Sequence, residues 1–286
     1  MENKVSKIKW YFLIGLLIIA VVIYAAILRQ TGGKLTVTFL DVGQGDAIFI
    51  EAPDGRQMLI DGGPDRKILQ ELNKVMPFYD KTIDVVLATH PDQDHIGGLP
   101  EVLNRYSVGL FVRTTATSSS EVFKSLLEII KSKNIKEDII NQVQDISLGG
   151  GVDFDVLFPD KDASGWESNT SSIVGKLIYG GNSFLFTGDS PATVEKYLVG
   201  KYGSLLKSDV FKAGHHGSKT SNSELFVGFV NPLYTVISVG LNNRYGHPNK
   251  EALDIFAKFK EKVLETLNGG LIKFESDGEN ILNFSK

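Results

Sequence analysis

The stretch Thr89 to Gly98, T-H-P-D-Q-D-H-I-G-G, decides how the rest of this chain is read. His90, Asp92, Asp94 and His95 fall within six residues, two imidazoles and two carboxylates that all coordinate divalent cations. Val85 to Ala88 before them is apolar and β-prone, and Leu99 to Tyr106 after Gly97-Gly98 has helical spacing. The ligand-type side chains therefore belong on a strand-to-helix loop. There they can converge on one point, beside a helix N-terminus that favours anions.

Working outward, the chain has five histidines, and all lie in three short segments: His90 and His95, His215-His216 in AGHHGS, and His247 in RYGHPN. Each segment follows an apolar strand-like run, and Asp189 closes another, FLFTGD. Four strand ends carrying His or Asp make a metal site the natural reading, because strand ends gather at one edge of a sheet. There is no cysteine, so nitrogen and oxygen are the available donors and disulfides are excluded.

The remaining elements alternate. Strands are expected at Lys34–Leu40, Ala47–Ala52 and Gln57–Ile60, then a helix at Lys67–Val75, a strand at Val108–Val112 and a helix at Glu121–Lys133. A strand at Val152–Phe158 precedes a hairpin, Ser171–Tyr179 with Ser183–Thr187, turning on Gly180-Gly181-Asn182. Helices at Pro191–Val199, Ser223–Phe229 and Lys250–Lys260 then alternate with strands at Asp209–Ala213 and Tyr234–Val239. A hairpin at Leu271–Glu275 and Asn280–Phe284 ends the chain. Strand runs followed by helices predict two facing sheets with helices outside, an α/β (α+β) arrangement.

Tyr11 to Leu28 is an uncharged apolar or aromatic run of 18 residues, the length of a short membrane-spanning helix. Lys4, Lys7 and Lys9 precede it, which places the amino terminus in the cytoplasm and the remainder outside. The organisation expected is a stub, anchor and tether over 1–33 and one domain over 34–286, in a single-pass protein of the cell membrane. The net charge is −4, and residues 1–33 contribute +3, so the domain carries −7. That charge argues against an extended footprint on duplex nucleic acid.

The ordered set D-G-G, H-x-D-x-D-H, T-G-D, H-H-G-S and Y-G-H-P, with DVGQGD at Asp41–Asp46 and NNRYGHP at Asn242–Pro248, resembles the metallo-β-lactamase fold superfamily. The similarity is closest to the hydrolase domain of the ComEC competence proteins and covers residues 34 to 286. The resemblance implies a four-layer αββα sandwich with one or two divalent metal ions, Zn or Mn. Carried over by position, Asp94, His95 and Asp189 would hold one metal with a histidine from His215, His216 or His247. His90 and Asp92, sharing Asp189, would hold the other, with Asp61 behind a ligand imidazole. Asp92 stands where the wider superfamily has histidine, and Asn169 or Ser171 occupies the region where another histidine is usual. The added oxygen shifts metal preference toward harder cations.

The function expected is metal-dependent phosphodiester hydrolysis, with Asp94, His215, His216 and His247 in the catalytic group and Ser218, Lys219 and Arg244 as phosphate contacts. Nucleic acid taken up by the cell is the implied substrate. Hydrolysis of another ester, amide or cell-envelope phosphoester is one alternative, and a non-catalytic membrane partner of the same fold is another.

Overall fold

The computed structural model describes residues 2–30 and 33–284. The first helix, α1 (Glu2–Gln30), runs unbroken through the expected anchor. Its described apolar side chains, Leu13, Leu17 and Ile18 among them, are exposed and join none of the three apolar cores. Among the described residues no helix is long and apolar enough to cross a membrane. The structure therefore does not support the anchor expected at Tyr11–Leu28, and part of the expected tether, residues 31–32, lies outside the described residues.

Among the described residues, fifteen strands form two sheets. The first begins as a meander, β1 (Leu35–Phe39), β2 (Ile48–Glu51) and β3 (Gln57–Ile60), all antiparallel. It continues in parallel through β4 (Thr82–Ala88), β5 (Ser107–Thr114) and β6 (Lys136–Ile140). The second sheet runs antiparallel through β7 (Gln144–Gly149), β8 (Val152–Phe158), β9 (Val174–Tyr179) and β10 (Asn182–Phe186). It turns parallel at β11 (Val210–Lys212), β12 (Tyr234–Ile237) and β13 (Lys262–Glu265). The chain then returns to the first sheet, where β14 (Ile272–Ser276) pairs with β1 and β15 (Ile281–Asn283) closes the edge.

Alternation of apolar residues along the strands packs the sheets face to face. Phe39, Phe186 and Phe274 meet between them with ring centroids 6.1–6.2 Å from Phe39. The outer face of the first sheet buries α2 (Lys67–Val75), α4 (Leu99–Arg105) and α5 (Glu121–Ser132). The outer face of the second buries α6 (Ala192–Tyr202), α7 (Glu224–Val230) and α8 (Lys250–Lys258). The layers are α, β, β, α as expected.

Three strands were not expected. KEDII and QDISLG in β6 and β7 are mostly polar and half-exposed, so they lack an apolar run, and β13 was hidden by its nearness to α8. The expected strand at Ser171 starts instead at Val174. Asn169–Ser171 forms a 3-10 turn in which the Ser171 hydroxyl donates to the Ser168 carbonyl at 2.6 Å.

Candidate metal centre

The two sheets place their parallel strand ends along one edge, and the sequence-predicted side chains sit there. After β4, the loop carrying His90 and Asp92 enters a one-turn helix, α3 (Gln93–Ile96), which holds Asp94 and His95. The turn after β10 delivers Asp189. A 3-10 turn after β11, Gly214–Gly217, delivers His215 and His216. His247 comes from the loop between β12 and α8.

Asp94, His95, Asp189 and His216 offer ligand atoms that all lie within 4.8 Å of one another. His95 Nε2 is 3.3 Å from Asp189 Oδ1, and His216 Nε2 is 3.3 Å from Asp94 Oδ2 and 3.6 Å from Asp189 Oδ2. His90 lies on the flank, its Nε2 3.7 Å from Asp92 Oδ2 and 3.9 Å from Asp189 Oδ2. His215 Nε2 approaches Asp189 Oδ2 from the solvent side at 3.6 Å. The His247 ring packs 5.4 Å from that of His215 and 6.4 Å from that of His216.

Hydrogen bonds behind the rings aim them. The Ser238 carbonyl, which only accepts, lies 2.9 Å from His216 Nδ1, so Nδ1 carries the proton and Nε2 faces the cluster. Asp61 Oδ2 does the same for His95 Nδ1 at 2.8 Å. Asp61 also accepts from the Thr89 hydroxyl, which in turn stands 3.0 Å from His90 Nδ1. One buried carboxylate thus orients two imidazoles. The donor set fits a cation on a second observation: His90 Nε2, His95 Nε2 and Asp189 Oδ1 are buried with no hydrogen-bond partner, an arrangement that is costly unless something coordinates them.

Charge in the cluster is mutually dependent. Burial opposes ionisation of His216, but Asp189, Asp46 and Asp94 outweigh it and raise the imidazole to about 9. His95 is raised well above its ordinary value, burial being overcome by Asp189 and Asp61. Asp94 falls to about 2 because the His216 hydrogen bond and His95 overcome its burial. Burial, then the neighbouring His95, pushes His90 down to about 4, and burial with His215 pushes His247 down to about 4. Burial raises Asp92, whose Oδ1 accepts from the Ser168 hydroxyl at 2.6 Å. Without a cation, protons on His95 and His216 neutralise Asp94 and Asp189.

The other expected residues stand further out. The Asn169 Oδ1 is buried without a hydrogen-bond partner. The Ser218 hydroxyl is spent on Thr220 at 2.9 Å, and Lys219 is exposed, with its backbone N–H donating to Asn249. Arg244 lies at the rim, its guanidinium carbon 4.8 Å over the Tyr245 ring.

Three contributors escaped sequence reading. Asp46, in DVGQGD, is buried with Oδ1 3.3 Å from His216 Nδ1 and Oδ2 2.7 Å from Lys212 Nζ. Lys212 is itself buried and donates to the Ala213 carbonyl at 2.8 Å. A Cβ on Gly45 would stand 2.1 Å from the Asp94 carbonyl oxygen, so this turn reaches the ligand loop only because residue 45 has no side chain. Asn222 is the third. His215 and His216 adopt left-handed φ values of 49° and 54°, a strained state for residues with side chains. Asn222 holds them there, accepting from Gly214 N–H at 2.8 Å and donating to the carbonyls of Gly214 and Ser218 at 2.9 and 3.0 Å.

Residues 40–240 match the metallo-beta-lactamase superfamily as a family. The chain belongs to that superfamily. It is 31% identical over 260 residues to ComE operon protein 3 of Bacillus subtilis, covering 83% of this chain and 32% of that protein. It is 30% identical over 245 residues to Competence protein ComA of Neisseria gonorrhoeae, covering 84% of this chain and 32% of that one. The chain spans about a third of the length of these relatives. Its backbone matches Igni18, a metallo hydrolase from Ignicoccus hospitalis, with a TM-score of 0.57 at 17% identity, covering 84% of this chain and 99% of the other. At that identity the likeness speaks for the fold alone. The superfamily's metallo-hydrolase fold and the buried Asp/His cluster make divalent metal ions the expected ligands.

Two outcomes follow from the geometry. Asn222→Ala leaves every ligand in place, yet it should cost about 1–3 kcal/mol of stability by freeing buried polar groups, and weaken metal binding about 10-fold or more by releasing the His215-His216 turn. Unchanged unfolding and unchanged metal affinity would refute the stapling role. Because His95 and His216 are both raised above the neutral range and both are ligands, metal must displace two protons at neutral pH, so affinity should fall up to about 100-fold for each pH unit lowered. Calorimetric metal titration in two buffers of different ionisation enthalpy measures the released protons. A pH-independent affinity would contradict the assignment.

Proposed function

We propose that the chain is a metal-dependent phosphodiesterase acting on nucleic acid. The observation that carries this reading is the cluster's asymmetry. Asp94, His95, Asp189 and His216 form its inner wall, while His215 stands at the mouth with a quarter of its side chain exposed. Those four residues would hold a divalent cation, which when bound lowers the pKa of water from about 15.7 toward about 7 and offsets phosphoryl charge.

The chain's own groups then divide the remaining work. Asp61 and Ser238 keep His95 and His216 aimed inward. His247, held neutral by burial and its histidine neighbours, is unsuited to donate a proton at neutral pH and is available as a lone-pair donor. His215 reaches solvent and is the residue placed to protonate a leaving oxygen. Arg244 at the rim meets the phosphate on the outside. The competence proteins among its relatives support nucleic acid as the substrate. The −7 charge of the domain favours a second reading, hydrolysis of a cell-envelope phosphoester, over long contacts with a polyanion.

We further propose that α1 is a membrane anchor with its amino end in the cytoplasm. Its apolar sequence from Tyr11 to Leu28 and its exposed, unpacked side chains support this.

The full chain, loaded with Mn²⁺ or Zn²⁺, should cleave single-stranded DNA and bis(p-nitrophenyl)phosphate. Asp94→Ala should lower turnover on both about 100-fold or more. Activity on neither substrate, or full activity in the variant, would sink the reading.

A further inference from the structure

The parallel strands of both sheets begin at the edge opposite the metal centre, and the turns feeding them carry large apolar tips. Phe78 is 85% and Tyr79 62% exposed before β4, Leu205 is 70% exposed before β11, and Leu233 is 62% exposed before β12. Single exposed apolar side chains are ordinary on a protein surface. Four along one edge, two of them aromatic rings in edge-to-face contact at 5.4 Å, form a pattern of another kind.

Cations stand among these tips. Lys81, Arg105 and Lys133 line a recess of about 550 Å³ on this edge. Lys81 lies 5.7 Å over the Tyr106 ring, and Lys133 donates to the carbonyls of Leu103 and Asn104, so neither contact cancels its charge. Two carboxylates beside these tips are engaged within the fold: Asp80 accepts from Thr82 and Gln57, and Asp209 from the Ser183 N–H.

The same edge receives the chain from α1. That helix ends at Gln30 and β1 starts at Leu35, beside the end of β2 and one strand from the start of β3. Five residue steps span at most about 18 Å. Any surface that takes up the apolar helix is therefore held within that distance of the start of β1, which lies at the same edge as these tips.

We infer that this edge of the domain docks on an anionic lipid surface. Phe78, Tyr79, Leu205 and Leu233 sit at the headgroup level, where aromatic and apolar tips are favoured, and Lys81, Arg105 and Lys133 meet the lipid phosphates. The orientation rests on the proposed anchoring of α1. Its consequence is that the metal centre opens away from the bilayer, lifted from it by about 23 Å, the length of the seven-residue β4 at about 3.3 Å per residue.

The absence of cysteine makes site-specific labelling direct. Single variants Leu17→Cys, Phe78→Cys, Leu205→Cys and Ser119→Cys of the full chain, each carrying an environment-sensitive dye, are reconstituted in vesicles of phosphatidylcholine and phosphatidylglycerol that contain spin-labelled lipids. Shallow quenchers should quench positions 78 and 205 at least twofold, and position 119, at the metal-bearing edge, should be unaffected. Quenching at 17 without quenching at 78 and 205 would overturn the docking and leave the anchor standing. Quenching at 78 and 205 without 17 would uphold the docking and remove the anchor. No quenching at 17, 78 or 205 would overturn both.

Discussion

The Asp189 carboxylate is buried within 4 Å of imidazole nitrogens from His90, His95, His215 and His216, and the rest of the structure is arranged around the charge it brings. A buried carboxylate is costly unless paired. With Asp94 and Asp46 beside it, the centre holds more negative charge than its histidines neutralise without taking up protons. The raised His95 and His216 and the depressed Asp94 and Asp189 describe one fact from two sides: this edge of the sandwich is built for added positive charge.

Holding such a cluster requires structure that apolar packing alone does not supply. The interleaved sheets, with Phe39, Phe186 and Phe274 between them, bring β4, β10, β11 and β12 to the same edge, and polar contacts then set the last few tenths of an ångström. Asp61 orients one side and Asn222 fastens the turn on the other. Lys212 compensates Asp46 from below, so that a buried carboxylate can face His216 without leaving an unpaired charge. The opposite edge, free of this demand, carries the exposed tips of Phe78, Tyr79, Leu205 and Leu233.

Much of this was legible in the sequence, for physical reasons. Histidine is scarce in the chain, so five residues confined to three strand ends pointed to a single site, and the sheet-helix alternation around them announced the sandwich. Asp46 and Lys212 were not legible. A lysine inside the apolar strand VFKAG and an aspartate in a glycine-rich turn each look like ordinary local features, and their 2.7 Å contact exists only after two sheets have folded together. The strands β6 and β7 were missed because one-sided polar strands carry little periodic signal. The choice among His215, His216 and His247 depends on left-handed backbone at the first two and on the Ser238 carbonyl behind the second, neither of which sequence spacing encodes.

The most direct test of a cation centred on Asp189 is a crystal structure of the full chain grown with Mn²⁺ and measured at the manganese absorption edge. An anomalous peak within about 2.0–2.4 Å of Asp94, His95, Asp189 and His216 is the predicted result. A cluster that stays unoccupied at saturating Mn²⁺ and Zn²⁺, with the imidazoles still protonated against the carboxylates, would contradict it.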